Sequence, residues 1–224
     1  MSEFPVHLVK SRRRSVAIKV NHDLSVEVRV PLRFKASDLD SILDRYHHWI
    51  SKKRDEILTL PKVRELLFLS GELVPILGKD YPVVIEIGKK LQASFTAGTL
   101  LLTVKSSTTE DAINKLGMKW YRGYAMEVIE SRVAYFLSQF KKDPTRISIK
   151  SMKSRWGSCS TSRSLNFNWK LVMAPLRVLD YVVIHEMCHM IHMDHSHKFW
   201  AEVEKRDPDY KLHKLWLRKQ GRTL

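Results

Sequence analysis

The sequence predicts an α+β fold, with a β-rich N-terminal part that carries one helix and a helix-rich C-terminal part. In the first third of the chain, apolar and polar residues alternate with the period of two that is typical of strands. Beyond Thr109 the apolar residues recur every three to four positions, which indicates helices. The 224 residues, 44% of them hydrophobic, suffice for one large domain or two small ones. We place the boundary within 106–109, which gives parts 1–108 and 109–224.

The N-terminal part begins with two predicted strands over 16–20 and 25–30, joined by a turn at 21–24. Pro31 ends the second strand, and Ser37 is expected to cap a helix over 38–57. Four more strands are predicted between glycine-containing turns, over 72–77, 83–87, 91–95 and 100–104.

The C-terminal part opens with a long predicted helix from Thr109 to about residue 140. Glu110 and Asp111 lie in its first turn, where the helix dipole favours acids. A short strand at 147–149 follows, and then a turn and a second strand within 154–169. Three further helices are predicted over 175–193, 196–206 and 210–220.

The charge of the chain is strongly basic. Lys and Arg number 39 against 24 Asp and Glu, a net charge of +15, of which the second half of the chain holds +11. A field of that size attracts polyanions, so DNA or RNA are candidate partners of the C-terminal half, although a basic surface also serves solubility alone.

Membrane and secretory classes are not favoured. No apolar stretch reaches the roughly 20 residues that span a bilayer, and the first residues lack the apolar core of a signal peptide. The two cysteines, Cys159 and Cys188, exclude a disulfide framework. We therefore expect a cytoplasmic protein with no membrane association, whose oligomeric state the sequence leaves open.

Residues 185–189 carry the pattern His-Glu-Met-Cys-His, preceded by an apolar run typical of a buried helix. Residues four apart lie on one helix face, so His185 and His189 can share one zinc ion. Glu186 is then placed to act as general base towards a zinc-bound water. The pattern predicts one catalytic Zn²⁺ per chain.

A catalytic zinc needs a third protein ligand and one open position. His192 lies about 10 Å beyond His185 on a straight helix, too far for a ligand that must come within ~2 Å of the metal. The chain must therefore turn, for which Asp194 is suited. We predict His195 as the third ligand, with His197 and Glu202 as alternatives.

An ordered series of motifs spans the chain, at 155–159, 168–169, 181–189, 195–200 and 208–210. Together with 12–15, 71–72 and 77–78 it closely resembles the YgjP-like (DUF45) family of predicted zinc metallopeptidases. The active helix is also similar to that of the SprT and WLM groups. The resemblance implies a zincin-like fold in the C-terminal part and a later ligand pair, here His195-Ser196. Asp194 departs from the family, which usually has Asn there.

The resemblance adds a candidate role, because SprT-type relatives act in DNA–protein crosslink repair. We therefore interpret the chain as a zinc metallopeptidase that hydrolyses polypeptides and is a candidate for recruitment to nucleic acid. Two alternatives remain, a non-peptidase zinc amidohydrolase and a DNA- or RNA-binding module with a structural zinc.

Other residues are candidates for binding substrate. The alternating strand 164–169, with Asn166 and Asn168, is a candidate for offering a free edge to an extended peptide. The alternative is a half-buried strand that packs Leu165, Phe167 and Trp169 in the core. Arg155 is a candidate for holding a substrate carbonyl or acidic group, and Tyr210 or His213 for stabilising the oxyanion. Cys188 is interpreted as a small buried residue, with a fourth metal ligand or a switch as the alternatives.

Overall fold

The computed structural model describes residues 4–21, 23–59 and 64–224, so that His22 of the predicted turn lies outside the described residues. Within these ranges the fold mixes five α-helices with three small sheets. The chain divides into two compact units, residues 1–62 and 63–224. The predicted boundary near residue 108 lies inside the second unit.

The first unit contains a three-stranded sheet, order β1-β3-β2, with β1 (Val6–Ser11), β2 (Ala17–Val20) and β3 (Val26–Pro31). β2 and β3 form the predicted antiparallel pair, and β3 ends at Pro31. β1, which the sequence did not predict, pairs with β3 in parallel. A parallel partner gives no hairpin signal, because no short turn joins it to its neighbour.

Helix α1 (Leu39–Leu58) shares a buried core with this sheet, to which it contributes Leu43 and Ile50. The expected cap is wrong: the N-cap residue is Asp38, and Ser37 lies in a short 3-10 turn, where its hydroxyl is 3.2 Å from the carboxylate of Asp38. The 3-10 turn occupies the residues at which the helix would otherwise begin. Short 3-10 segments of this kind are frequent at helix N-termini.

The second unit begins with a four-stranded sheet, order β4-β5-β7-β6. Its strands are β4 (Leu73–Ile76), β5 (Lys79–Ile87), β6 (Gln92–Thr96) and β7 (Thr99–Val104). The long helix α2 (Glu110–Leu137) packs against this sheet with its N-terminal half. The helix begins where it was predicted, and Thr109 caps it, its hydroxyl accepting a hydrogen bond from the backbone N–H of Ala112 at 3.4 Å.

A smaller sheet follows, order β8-β10-β9, with β8 (Arg146–Lys150), β9 (Gly157–Cys159) and β10 (Ser164–Asn168). The expectation of a free edge on strand 164–169 is wrong, because β10 is central, parallel to β8 and antiparallel to β9. Period-two alternation shows which face of a strand is buried but not how many neighbours it has. β8 and β9 are the edge strands instead.

Three helices complete the second unit, α3 (Leu176–Cys188), α4 (His197–Arg206) and α5 (Tyr210–Gln220). Nine of the thirteen residues of α3 are buried, so it is the central element of its core. An ion pair between Arg132 on α2 and Asp180 on α3, with N–O distances of 2.6 and 3.0 Å, ties the two helices together. None of the described helices has the length and apolarity that a bilayer crossing requires.

Candidate metal centre

The last turn of α3 brings two histidines to one face of the helix. The ring centroids of His185 and His189 are 4.9 Å apart, as expected for residues four apart. The helix ends at Cys188 rather than at residue 193, and the backbone carbonyl of His192 turns back to Nδ1 of His189 at 3.0 Å. This contact holds the His189 ring in place and leaves its Nε2 available.

The turn after α3 returns the chain to the same point. The carboxylate of Asp194 accepts a hydrogen bond from the backbone N–H of Ser196 at 3.1 Å, which forms a tight turn in front of α4. This turn places Nε2 of His195 3.2 Å from Nε2 of His185. Asp194 thus shapes the loop that carries His195.

His185, His189 and His195 therefore converge, each with a ring nitrogen within 4.8 Å of the others. Among the described residues this is the one group of three or more His, Cys, Asp or Glu side chains with such spacing. The alternatives lie elsewhere: His197 is exposed at the start of α4, and the carboxylate of Glu202 pairs with Arg206.

The three residues fit a zinc ion. Two nitrogens bound to one tetrahedral zinc are about 3.3 Å apart, close to the separation of the two Nε2 atoms. Burial lowers the pKa of His185 to about 3, so its ring is neutral and offers a lone pair. Its Nδ1 is buried without a hydrogen-bond partner among the described residues. Three protein ligands also leave one position open, as catalytic zinc requires.

Aromatic side chains enclose the histidines on one side. The buried ring of Phe199 lies 4.4 to 4.9 Å from all three, and Trp200 lies 5.7 Å from His185 and from His195. Both residues come from α4, directly after the turn that carries His195. The aromatic packing restricts the imidazole rings to one arrangement, which preorganises the site.

Glu186 lies beside the first histidine and is only 5% exposed. Burial raises the pKa of its carboxyl to about 8, and the guanidinium of Arg155 opposes that shift. Edge strand β9 makes room for this side chain, because a Cβ at Gly157 would stand 2.6 Å from Cγ and Oε1 of Glu186. Glu186 is thus a confined carboxyl whose pKa suits proton transfer near neutral pH.

One cleft opens onto Glu186 and His185. Its apolar lining is Trp156, Tyr181, Val182 and Leu217, and its polar lining, besides Glu186 and His185, is Arg155, Lys214 and Arg218. Sequence reasoning missed Tyr181 and Lys214. Tyr181 precedes His185 by one helical turn, a signal that was available in the spacing. Lys214 comes from α5, and no spacing connects it with the motif.

The predicted substrate residues separate into two groups. Arg155 lines the cleft and is exposed. Asn166 lies on β10 with its amide 3.3 Å from the hydroxyl of Ser158 on β9. Asn168 is 4% exposed, and its amide donates to the backbone carbonyls of Met152 and Arg155 while its oxygen accepts from the N–H of Lys170. The amide of Asn168 is thus occupied by the backbone.

Tyr210 and His213 do not line this cleft. The ring of Tyr210 is buried and stacks on Trp200 at 5.3 Å. Nδ1 of His213 lies 2.8 Å from the carboxylate of Asp207. Tyr181 is the tyrosine beside Glu186, and burial together with the Glu186 charge raises the pKa of its phenol, which keeps it protonated.

Both cysteines are free thiols outside the histidine cluster. Cys188 is fully buried in the core around α3, and burial raises the pKa of its thiol to about 12. Cys159 on β9 is partly buried, and burial together with the Glu186 charge raises the pKa of its thiol to about 11. Thiols of such high pKa stay protonated, which suits packing rather than metal binding.

Comparison with known proteins identifies a family for most of the chain. The family model described as YgjP-like, metallopeptidase domain, matches residues 14–220. Among solved structures, the metallopeptidase zymogen of Pyrococcus abyssi abylysin is similar at 21% identity and a TM-score of 0.35, covering 45% of this chain and 98% of that one. A search of the curated proteins finds no match.

Proposed function

Because this chain belongs to the YgjP-like family of metallopeptidase domains, we propose that it is a zinc-dependent peptidase with one Zn²⁺ per chain. His185, His189 and His195 would hold the metal, and Glu186 would be the catalytic base. The observation that carries this proposal is the meeting of three imidazoles beside a buried carboxyl that lines a cleft.

A bound zinc ion supplies a Lewis acid that polarises the scissile carbonyl and lowers the pKa of water. In the proposed reaction Glu186 accepts a proton from the attacking water and later donates it to the leaving amine. Gly157 and Arg155 hold the Glu186 carboxylate in position, one by leaving room for it and the other by its positive charge. The Tyr181 hydroxyl is assigned to the developing oxyanion, because it remains a proton donor.

We assign the binding of an extended polypeptide to edge strand β9. Its residue Gly157 approaches Glu186 closely, so a peptide that adds to this edge would carry its backbone past the carboxylate. Arg155 at the end of β9 would contact the substrate, and Asn166 would support β9 through Ser158. Asn168 is assigned to holding the 152–155 loop, and Tyr210 to packing behind the metal centre.

The decisive variant is Glu186→Gln, which keeps the size of the side chain and removes the base. Hydrolysis of a peptide library by the zinc-loaded protein should fall by about 10²–10⁴-fold, while the zinc content stays at one per chain. Mass spectrometry would measure metal and products, with Glu204→Gln, an exposed residue of α4, as the matched control.

Three outcomes would contradict the proposal. Undiminished hydrolysis in the Glu186→Gln variant would remove the assigned base. Cleavage of small acyl amides but of no peptide would favour an amidohydrolase. Zinc binding with no hydrolysis of either class, together with salt-sensitive binding of DNA or RNA, would favour a nucleic-acid-binding module with a structural zinc.

A further inference from the structure

The cleft around Glu186 is ringed by cations, of which Arg155 also acts on the Glu186 carboxyl through its charge. Arg155, Lys214 and Arg218 line it, and all three are exposed. None of them forms an ion pair with any of the described residues. Apart from Glu186 itself, no acidic side chain lies among the described residues that line the cleft. The mouth of the cleft is therefore positively charged.

Two of these cations come from one helix at a spacing that is unfavourable for the helix itself. Lys214 and Arg218 are four residues apart on α5, so their like charges face the same side and repel. No acid within α5 compensates for them. Lys214 also lies 4.2 Å above the ring of Trp200, the side chain that packs against His185 and His195. The positive charge is thus held close to the metal centre.

We propose, resting on the function assigned above, that the cleft selects polypeptides that place a carboxylate next to the scissile bond. The carboxylate comes either from an Asp or Glu side chain or from the C-terminus of the substrate. Lys214 and Arg218 on one wall and Arg155 on the other would contact it. The lone acid of the cleft is Glu186, the base that must meet the scissile amide.

A polypeptide carboxylate suits this geometry better than a nucleic-acid backbone does. The three cations surround the carboxyl of Glu186. A nucleic acid carries a negative charge at every nucleotide, so it would bring negative charge close to Glu186. A peptide with a single neighbouring carboxylate can pair with the rim and still present a neutral amide to Glu186. Charged contacts of this kind determine specificity more than affinity.

The test of cleavage uses zinc-loaded protein and octapeptides that differ only in one residue beside the scissile bond, Asp, Ala or Lys. Exposed ion pairs are individually weak, so the combined rim should favour Asp over Lys on the order of tenfold in kcat/KM. The preference should weaken at high salt, because screening reduces exposed charge interactions. Peptides with a free or an amidated C-terminus separate the two sources of the carboxylate.

The matched variants are the double charge reversals K214E/R218E and K219E/R222E. The first should abolish or invert the preference for Asp, and the second, which changes the net charge equally away from the cleft, should leave it intact. All four positions are exposed, and circular dichroism would verify that both variants fold.

A binding measurement separates this inference from the proposed function. Fluorescence anisotropy with the Glu186→Gln variant should show tighter binding of the Asp peptide than of the Lys peptide, without any cleavage. Binding selectivity together with an inactive wild type would contradict the peptidase and support the charged cleft. Cleavage with no preference for Asp, equal effects of the two double variants, or tight binding of a single-stranded oligonucleotide but not of the Asp peptide, would overturn the inference.

Discussion

The cleft has a mostly buried wall, which includes Glu186, Tyr181 and Gly157, and an exposed rim, formed by Arg155, Lys214 and Arg218. The wall holds one carboxyl whose pKa burial raises to about 8. The rim is solvated and positively charged. Burial shifts the pKa of a titratable group, whereas an exposed cation keeps its charge and can bind an anionic partner. We therefore assign the proposed reaction to the wall and the choice of substrate to the rim.

His195 tests whether an exposed residue belongs to the proposed metal centre. Loss of an outer hydrogen-bond partner already reduces metal affinity by about 10–100-fold, so His195→Ala should reduce zinc affinity by more than about 100-fold. Competition with a chromophoric chelator would measure the affinity. His197→Ala, two residues away and exposed, is the matched control and should bind zinc like the wild type.

The contrary result for His195 is also informative. Unchanged zinc affinity in His195→Ala would limit the metal centre to the histidines of α3. A loss in His197→Ala instead would place the third ligand two residues later in the chain.

The reactivity of Cys159, which lies on β9 with Gly157, tests how apolar the surroundings of the wall are. With its pKa raised to about 11, its thiolate fraction at pH 8 should be about a hundredfold below that of an ordinary thiol. Alkylation by iodoacetamide should therefore be slow at pH 8 and rise about tenfold for each pH unit towards 11. Peptide mass spectrometry would follow the reaction, with the urea-unfolded chain as the reference. Rapid alkylation of the folded chain at pH 8 would mean that the wall is accessible to water.

Substitution of Gly157 tests how closely the wall fits the carboxyl of Glu186. A Cβ 2.6 Å from the Glu186 side chain must displace it, and a displacement of about 1 Å can cost up to 10²-fold in rate. Gly157→Ala should therefore lower kcat/KM by about 10–100-fold and stability by about 1–3 kcal/mol. Urea unfolding and peptide hydrolysis would measure the two effects.

Gly123→Ala is the control for that substitution. A Cβ at Gly123 meets nothing within 4 Å, and the residue is exposed within α2. Alanine there should raise stability by about 0.5–1 kcal/mol through helix propensity and leave hydrolysis unchanged. Full activity in Gly157→Ala would show that Glu186 has room to move and that the wall does not position it.

The local sequence accounts for much of the fold and of the metal centre. Most strands and all five helices were predicted within a few residues, because periodicity and caps are local properties. The pairing of β1 with β3 and the central place of β10 were not, since strand neighbours are chosen across long separations. The boundary near residue 108 stays a prediction. The sequence gives local signals for β-strands and helices, but it gives none for the limits of a compact unit.

The sequence by itself determined the pair His185 and His189 with Glu186 between them, because one helical turn fixes their spacing. It also favoured His195, through the turn that Asp194 forms. Only the tertiary structure decided that Phe199 and Trp200 enclose the histidines, that Gly157 makes room for Glu186, and that Lys214 and Arg218 charge the rim. These residues come from separate elements, and packing around α3 brings them to one place.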